Sequence, residues 1–269
     1  MGFASSSEGG HALDLTEAET SALPVTGVCA RYPAGHTVPE HRHARGHLLY
    51  ADQGVILVEA ATGRWLVPPT AAVWLRPGVP HRLVIPLPLL AHGIFIRQDV
   101  CAELPQVDCV LHIGTLPRAL IGALSQHDPG APPTRRATLM GELLVEELRM
   151  QPALPFHLPW PADARMQQVC HALLHDPGQA ATANDWAARL GMSTKTFHRR
   201  FQKTTGMAFG RWRQQGRLMA SLPRLLEGTP ITTVALGSGY ESHSAYAVAF
   251  KKHFGQSPSA FVAGARHSG

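Results

Sequence analysis

Four histidines in the first half of the chain have the residue type and spacing of a transition-metal site. His41, His43 and His47 lie close together, and His81 follows a Pro-Gly turn further along the chain. Alternation along a strand predicts that His41 and His43 share one face. Three or four imidazoles on one side of a small barrel would suit Zn²⁺, Ni²⁺, Cu²⁺ or Fe²⁺. The sequence therefore predicts a metal or effector site at these four residues.

The same histidines have a second interpretation as polar lining. A histidine pair in a strand is more often hydrogen-bonded than bound to a metal. Tyr50, Trp65 and Trp74 could line a pocket beside them, although large aromatic side chains more often belong to a core. The residues alone leave these interpretations open.

In the second half of the chain, the segment from Thr194 to Thr204 is predicted to be a helix with two different faces. Phe197 and Phe201, four residues apart, would face the core. The outer face holds polar and basic residues, namely Lys195, Thr196, His198, Arg199, Arg200 and Lys203. Lys and Arg on an exposed helix reach guanine edges or phosphates, so this face predicts contact with duplex DNA. The alternative is a helix that is merely solvated.

A second helix, from Ser244 to His253, repeats this arrangement with weaker chemistry. Tyr246 and Phe250 would face inward. The outer face carries His243, Ser244, Ala247, Val248, Lys251 and Lys252. Ala and Val can touch a thymine methyl group but form no hydrogen bonds to bases. This helix is therefore expected to read sequence less strongly than the first.

Each of these helices follows a shorter helix and a tight turn, which is the pattern of a helix-turn-helix. In the first unit Asn184 or Asp185 is expected to cap the shorter helix. Gly191 makes the turn, and Ser193 caps the following helix, which ends at Gly206.

In the second unit Pro230 lies in the first turn of a helix to Ser238, Gly239 makes the turn, and Ser242 caps the following helix. A connecting helix from Phe209 to Leu226 would hold the two units rigidly. Recognition helices held about 34 Å apart would enter successive major grooves of one duplex.

The elements around the histidines are predicted to be short strands. Apolar runs separated by Gly, Pro and Asp extend from Val25 to about Arg97, which is typical of a β-sandwich or barrel. Residues 61–64 are expected to form a hairpin turn. Helical periodicity appears at 116–126 and again at 135–149.

The helix at 135–149 is predicted to carry an apolar stripe of Leu139, Leu143, Leu144 and Leu148. The stripe either packs on the sheet or pairs with a second subunit, and pairing is slightly favoured. Residues 151–162, rich in proline, cannot continue a helix and predict an interdomain linker. Asp163 is the expected N-cap of the next helix.

Charge is unevenly distributed along the chain. Residues 160–269 hold 13 Lys and Arg against 5 Asp and Glu, a net charge of +8, whereas residues 1–159 hold 11 against 14, a net charge of −3. This distribution places the phosphate-facing surface in the second half. The four cysteines form no C-x-x-C pair, and neither a signal peptide nor an apolar run of about 18 residues is visible. A cytoplasmic protein with reduced thiols and no membrane partner is expected.

Residues 165–262 resemble the tandem helix-turn-helix domain of the AraC/XylS family of transcription regulators. The resemblance rests on the stretches 186–193, 197–201 with Gly206, and 239–242 through to 255–258. The family implies two recognition helices that read successive major grooves of DNA.

Carried onto this chain, the resemblance places base contacts on both recognition helices. In the first helix they fall at Lys195, His198 and Arg199. In the second they fall at His243 and Ser244, while Val248 stands where the family often has Arg. That departure predicts weaker base reading by the second helix, which would mainly hold the DNA backbone.

Residues 27–97 resemble the cupin fold, a small β-barrel in which two histidines, a carboxylate and a later histidine bind a metal. His41, His43 and His81 match that pattern, and His47 stands where the family usually has Glu. The change keeps a ligand and removes a negative charge, which favours a borderline metal over a 2-His-1-carboxylate iron centre. Many regulatory cupins bind an organic effector in the barrel, so both effector classes stay open.

These patterns predict an α+β chain of two domains, with an N-terminal cupin-like β-barrel flanked by helices and a C-terminal all-α tandem helix-turn-helix domain. The expected divisions are a loose N-terminus at 1–22, the barrel at 23–112, a helical dimerisation or packing segment at 113–150, the linker at 151–162, and the DNA-binding domain at 163–265. Its two helix-turn-helix units are expected at about 183–205 and 230–254.

The favoured function is a DNA-binding transcription regulator without enzymatic activity. It would respond to a small organic effector or a divalent metal (Ni, Zn, Cu or Fe), form a homodimer on promoter DNA, and contact RNA polymerase if it activates. The second hypothesis is a cupin metalloenzyme of the isomerase or dioxygenase type fused to a DNA-binding domain, with Asp52 and Glu59 as acid–base candidates. The third is a DNA-binding protein with a structural barrel that binds nothing.

Overall fold

The computed structural model describes residues 15–52, 55–86, 88–154 and 156–266. Contacts between residues divide the chain into two units. The first contains the described residues up to 60 together with 65–154, and the second contains 61–64 and the described residues from 156 onward. The predicted α+β architecture of two domains is confirmed.

The first unit is built on two β-sheets. Its strands are β1 (Val25–Tyr32), β2 (His36–His41), β3 (Gly46–Ala51), β4 (Ile56–Ala60), β5 (Gly63–Val67), β6 (Ala71–Leu75), β7 (His81–Ile85), β8 (Leu89–Ile96), β9 (Cys109–His112) and β10 (Ala153–Leu154). One sheet has the order β1-β8-β3-β6-β9-β10, and the other contains β5-β4-β7-β2. The hairpin turn predicted at 61–64 lies at residues 61–62, which join β4 to β5. Alternating side chains give each strand one face toward the interior of the barrel and one face away from it.

Helices cover the outer face of the first sheet. They are α2 (Thr115–Ser125) and α3 (Arg135–Arg149), and a short helix α1 (Thr16–Thr20) precedes β1. The shared core includes Tyr50 and Trp74 from the sheet with Leu124 and Leu148 from the helices. A Cβ at Gly27 would lie 2.8 Å from the backbone of α2, so only glycine admits this close approach.

Two predictions for this unit are wrong. The N-terminus is not loose throughout, since α1 occupies Thr16–Thr20; residues 1–14 lie outside the described residues. The leucine stripe of α3 is split, because Leu144 and Leu148 are buried whereas Leu139 and Leu143 are 51% and 43% exposed. At about 100° per residue, a step of five residues from Leu139 to Leu144 turns about 140° around the helix.

The proline-rich segment at 151–162 is more ordered than a plain linker. Ala153 and Leu154 pair with Leu111 and Val110 of β9. His157–Pro159 forms a further strand, β11. Proline excludes a helix here but is compatible with short edge strands. On the outer side of an edge strand no hydrogen bond to a neighbouring strand is needed, so the missing N–H group costs nothing.

The second unit is helical. It contains α4 (Ala164–His175), α5 (Ala183–Arg189), α6 (Thr194–Thr205), α7 (Phe209–Leu226), α8 (Ile231–Gly237), α9 (His243–Phe254) and α10 (Pro258–Arg266). Asp163 caps α4 by accepting from the amides of Arg165 and Met166, as predicted. Phe201 packs edge-on against Phe209 and Trp212, which fixes α6 on the connecting helix α7.

Within the described residues, no helix combines the length and apolar character that crossing a lipid bilayer requires.

Candidate functional site

Three strands and one loop bring the four histidines together. His41 ends β2 and lies opposite His81, the first residue of β7, beyond a register irregularity that follows Val38. His47 belongs to β3. His43 lies in the loop between β2 and β3, so the prediction that it shares a strand face with His41 is wrong. The loop, rather than strand alternation, carries its ring into the cluster.

The cluster is tight and largely buried. One ligand atom each of His41, His43 and His81 lies within 4.8 Å of the others. His43, His47 and His81 are 4%, 4% and 1% exposed, and His41 is half-buried. The ring centroids of His41 and His81 are 4.4 Å apart. His41 is the least buried of the four.

Each ring of the three-histidine group has an oxygen acceptor on its Nδ1 atom. Nδ1 of His41 lies 2.7 Å from the carbonyl of Pro39, and Nδ1 of His81 lies 2.9 Å from that of Val79. Nδ1 of His43 lies 2.6 Å from a carboxylate oxygen of Glu19. Carbonyls and carboxylates accept hydrogen bonds, so each Nδ1 carries the proton and each Nε2 presents a lone pair. This outer-shell arrangement is typical of metal-ligating histidines.

His47 lies beside the three-histidine group rather than within it. Its Nδ1 atom lies 3.3 Å from Nε2 of His81. Because Nδ1 of His81 already donates to Val79, this contact is a hydrogen bond in which Nδ1–H of His47 donates to Nε2 of His81. The ring stacks on Phe95 at a centroid distance of 4.6 Å. A Cβ at Gly93 would lie 3.1 Å from Nε2 of His47, so a glycine there leaves room for the ring.

Burial favours the neutral form of His43, His47 and His81. It lowers the pKa of His81 to about 4 and that of His47 well below the ordinary value, with the neighbouring histidines adding to both effects. Burial also lowers the pKa of His43, although the hydrogen bond to Glu19 opposes the shift. Neutral nitrogen is the form that binds a metal ion. Nε2 of His43 and Nε2 of His47 are buried and lack hydrogen-bond partners among the described residues.

Sequence reasoning missed Glu19 and Arg45, which connect α1 to the cluster. The guanidinium of Arg45 donates to the backbone carbonyls of Glu19, Ser21 and Leu23. Arg45 is 5% exposed, so these carbonyls satisfy a buried charge. Glu19 and His43 are 24 residues apart, and no local pattern connects them.

The other candidates near the histidines are engaged elsewhere. Asp52 lies 2.8 Å from Nε2 of His92, and Glu59 forms an ion pair with Arg82. Tyr50, Trp65 and Trp74 are 0%, 1% and 1% exposed, which agrees with their interpretation as core residues.

On α6, the predicted division into two faces is present. Phe197 and Phe201 are fully buried, whereas Lys195, His198 and Arg199 are exposed. The remaining two candidates on α6, Thr196 and Arg200, are half-buried and have partners. The hydroxyl of Thr196 lies 2.9 Å from the Ser193 hydroxyl, and Arg200 forms an ion pair with Asp163. Both of these side chains therefore support the fold of this unit, which leaves Lys195, His198 and Arg199 for a ligand.

On α9, His243, Ser244 and Lys251 are exposed. Tyr246 and Phe250 are fully buried, and the Tyr246 hydroxyl lies 2.7 Å from that of Ser221 on α7. This contact anchors the second recognition helix on the connecting helix.

The predicted turns and caps are mostly present. Gly191 and Gly239 have φ angles of 63° and 77°, and Ser193 and Ser242 cap α6 and α9. The cap of α5 differs, since Thr182 occupies that position. Asp185, three residues later, completes a capping box with it, so the prediction of Asn184 or Asp185 as the cap is wrong.

The second unit differs from prediction at two more places. Pro230 is the residue before α8, and that helix ends at Gly237.

Two arginines of α7 hold the loop before α5. Arg213 donates to the carbonyl of Ala181, and Arg217 donates to that of Pro177. These two cations are therefore structural.

Comparison with known proteins gives matches over both units. Residues 23–88 match the family model described as AraC-like ligand binding domain, and residues 186–264 match that described as Helix-turn-helix domain. The HTH-type transcriptional regulator NimR of Escherichia coli strain K12 is 32% identical over 230 residues, 84% of this chain and 83% of the relative. The HTH-type transcriptional regulator RipA of Corynebacterium glutamicum is 31% identical over 39% of this chain and 32% of the relative. The solved structure of ToxT from Vibrio cholerae aligns with 89% of this chain and 98% of its own, at 11% identity and a TM-score of 0.38.

Proposed function

Because this chain belongs to the AraC family of DNA-binding transcription regulators, we propose that its N-terminal domain senses a divalent transition metal and that α6 and α9 read its promoter. The relatives named above are transcriptional regulators, so the barrel is assigned a sensing role rather than a catalytic one.

The donor set supports a metal effector over an organic one. Three rings share one arrangement, in which an oxygen acceptor fixes Nδ1 and leaves Nε2 with a lone pair. His47 lies beside this group. A site with three nitrogen donors and no carboxylate in its inner shell suits Zn²⁺, Ni²⁺ or Cu²⁺. The three Nδ1 contacts carry this proposal.

DNA reading is assigned to the exposed faces of the two recognition helices. Lys195, His198 and Arg199 on α6 present cations and hydrogen-bond donors to solvent, and His243, Ser244 and Lys251 do so on α9. Long basic side chains reach base edges and phosphates in the major groove. Arg200 is assigned to the ion pair with Asp163 instead.

A homodimer is proposed through α3. Leu139 and Leu143 are exposed one helical turn apart. They border an apolar groove of about 390 Å³ that is lined by Leu120, Arg135, Arg136, Leu139, Met140 and Leu143. The same helix of a second subunit could place its leucines in this groove, since a two-fold interface pairs one surface with itself.

Metal titration of DNA binding tests the sensing proposal. Full-length protein is stripped with a chelator, and its affinity for a selected promoter fragment is measured with Zn²⁺, Ni²⁺, Cu²⁺ and Fe²⁺ in turn. We expect at least one ion to change the affinity, and the bound DNA to change the affinity for that ion by the same factor. The double variant His41→Ala, His81→Ala should lose the response, whereas His112→Ala, an exposed histidine of β9, should keep it. An unchanged metal content in the double variant would show that these histidines do not bind the metal.

A further inference from the structure

The two recognition helices are built to one plan. Each has 12 residues, begins after a serine whose hydroxyl accepts from the amide three residues on, and ends at a left-handed glycine. Those glycines, Gly206 and Gly255, have φ angles of 71° and 77°. The fourth and eighth residues are buried aromatics in both helices, Phe197 and Phe201 in α6, and Tyr246 and Phe250 in α9. Positions along the two helices therefore correspond one to one.

This correspondence exposes a difference in chemistry between the outer faces. Lys195, His198 and Arg199 of α6 occupy the positions of Ser244, Ala247 and Val248 of α9. The first set offers cations and hydrogen-bond donors. In the second set, Ala247 and Val248 offer neither.

Val248 is the most distinctive side chain of the α9 face. It is 70% exposed although it is apolar. Its neighbours one turn away on the same face are Ser244 and Lys251, both exposed and polar. The isopropyl group therefore stays exposed in the folded protein. The polar residues that flank it, Ser244 and Lys251, can contact the phosphates of DNA.

Resting on the proposed function, we infer that the operator is chemically asymmetric, with Val248 contacting the 5-methyl group of a thymine while Arg199 contacts a guanine. Thymine is the base that presents a methyl group in the major groove, and apolar side chains recognise it there. Arg makes paired hydrogen bonds to O6 and N7 of guanine. The two half-sites should thus differ in base composition even though the helices that read them share one framework.

Removal of single methyl groups from the DNA tests this inference. A preferred site is selected from random DNA with the full-length protein, and each thymine is then replaced in turn by deoxyuridine, which lacks the methyl group. We expect one or two replacements to weaken binding about fourfold, which corresponds to about 0.8 kcal/mol for one buried methyl group. The same replacements should have no effect on Val248→Ala, since its side chain no longer reaches the methyl group.

Matched controls separate the contact from general effects. Leu236→Ala removes another exposed apolar side chain, on α8, and should leave the deoxyuridine response unchanged. In the half-site that α6 reads, replacement of a guanine by 7-deazaguanine should weaken the binding of the wild-type protein. The same replacement should not weaken the binding of the Arg199→Ala variant.

Three outcomes distinguish the possibilities. Wild-type binding that is specific but insensitive to every deoxyuridine replacement overturns the inference and leaves the proposed function standing. A failure to select any preferred sequence contradicts the proposed function itself. A Val248→Ala protein that keeps the deoxyuridine response but loses promoter activation shows that the valine serves a protein partner instead, which also overturns the inference.

Discussion

The carboxylate of Glu19 lies 2.6 Å from Nδ1 of His43, so a residue of α1 orients a ring of the histidine cluster. The ring is 4% exposed and the Glu19 side chain 27%, which places this contact at the boundary between the cluster and solvent. A carboxylate on the far nitrogen makes the opposite nitrogen a stronger ligand. The short helix α1 therefore helps to fix the geometry of the histidine cluster.

Glu19→Gln should lower metal affinity by about 10- to 100-fold, because the amide keeps the shape of the side chain but loses the negative charge that polarises the His43 ring. Competition with a coloured chelator measures the affinity, and circular dichroism checks the fold. The matched control is Glu17→Gln, which changes an exposed carboxylate on the same helix and should have no effect. Equal losses in both variants would mean that Glu19 acts only through net charge.

The metal-free protein should become more stable as the pH rises from about 4 to about 6.5. Burial lowers the pKa of His81 to about 4 and lowers that of His47 well below its ordinary value, whereas unfolded histidine titrates near 6.5. Between these values the unfolded chain binds protons that the folded chain does not, so acid favours unfolding. The stability is complete above pH 6.5 and is lost as the pH falls through this window.

Urea unfolding of chelator-treated protein at several pH values measures this dependence. His81 alone accounts for a change of about 3 kcal/mol at most across the window. The double variant His47→Gln, His81→Gln should show a flatter dependence. A slope that is the same in the variant would assign the effect to other groups.

Leu143→Glu should shift the protein from dimer to monomer, because it removes an apolar side chain from the groove beside α3 and places a charge there that is costly to desolvate in the proposed interface. Light scattering coupled to size-exclusion chromatography measures the mass. Val107→Glu changes a residue that is 61% exposed and lies in the loop before β9, and it should leave the mass unchanged. If the Leu143→Glu variant kept the wild-type mass, the dimer interface would not involve α3.

Gly239→Ala should destabilise the second unit more than Gly191→Ala. Both glycines have positive φ angles, and alanine in that region costs about 1–2 kcal/mol. A Cβ at Gly239 would also lie 2.7 Å from the guanidinium of Arg217 and 3.1 Å from Cα of Gly178, whereas nothing lies within 4 Å of one at Gly191. Displacing Arg217 would weaken its bonds to backbone carbonyls and add about 1–2 kcal/mol.

Thermal unfolding of the two glycine variants provides the comparison. Their melting temperatures should differ by several degrees, with Gly239→Ala the lower. Equal melting temperatures would show that Arg217 moves aside freely.

Much of the fold follows from short-range patterns. The aromatic pairs four residues apart predicted α6 and α9, and the runs of apolar residues between turn signals predicted the strands. These features depend on helix and strand periods and on backbone conformations, which are properties of neighbouring residues. The AraC-family resemblance and the two-domain architecture, which rested on them, are confirmed.

The errors concern contacts between distant parts of the chain. The leucines of α3 all fit one broad apolar stripe, yet only the side facing β1 and its neighbours is buried, and the sequence does not state which side that is. His43 reaches the cluster from a loop whose path depends on β2, β3 and β7 together. The Glu19–His43 and Arg200–Asp163 contacts join residues that no periodic pattern relates.

The match to the AraC-like ligand binding domain begins at residue 23, whereas two of the three carbonyls that hold the Arg45 guanidinium belong to Glu19 and Ser21. A chain that began at residue 23 would leave the buried Arg45 guanidinium without two of its acceptors. The free energy of unfolding would fall by about 1.5–3 kcal/mol for each acceptor removed. The same truncation would also strip His43 of its carboxylate. If the proposed metal site is correct, an isolated N-terminal domain trimmed to residue 23 should bind metal more weakly than one that starts no later than Thr16.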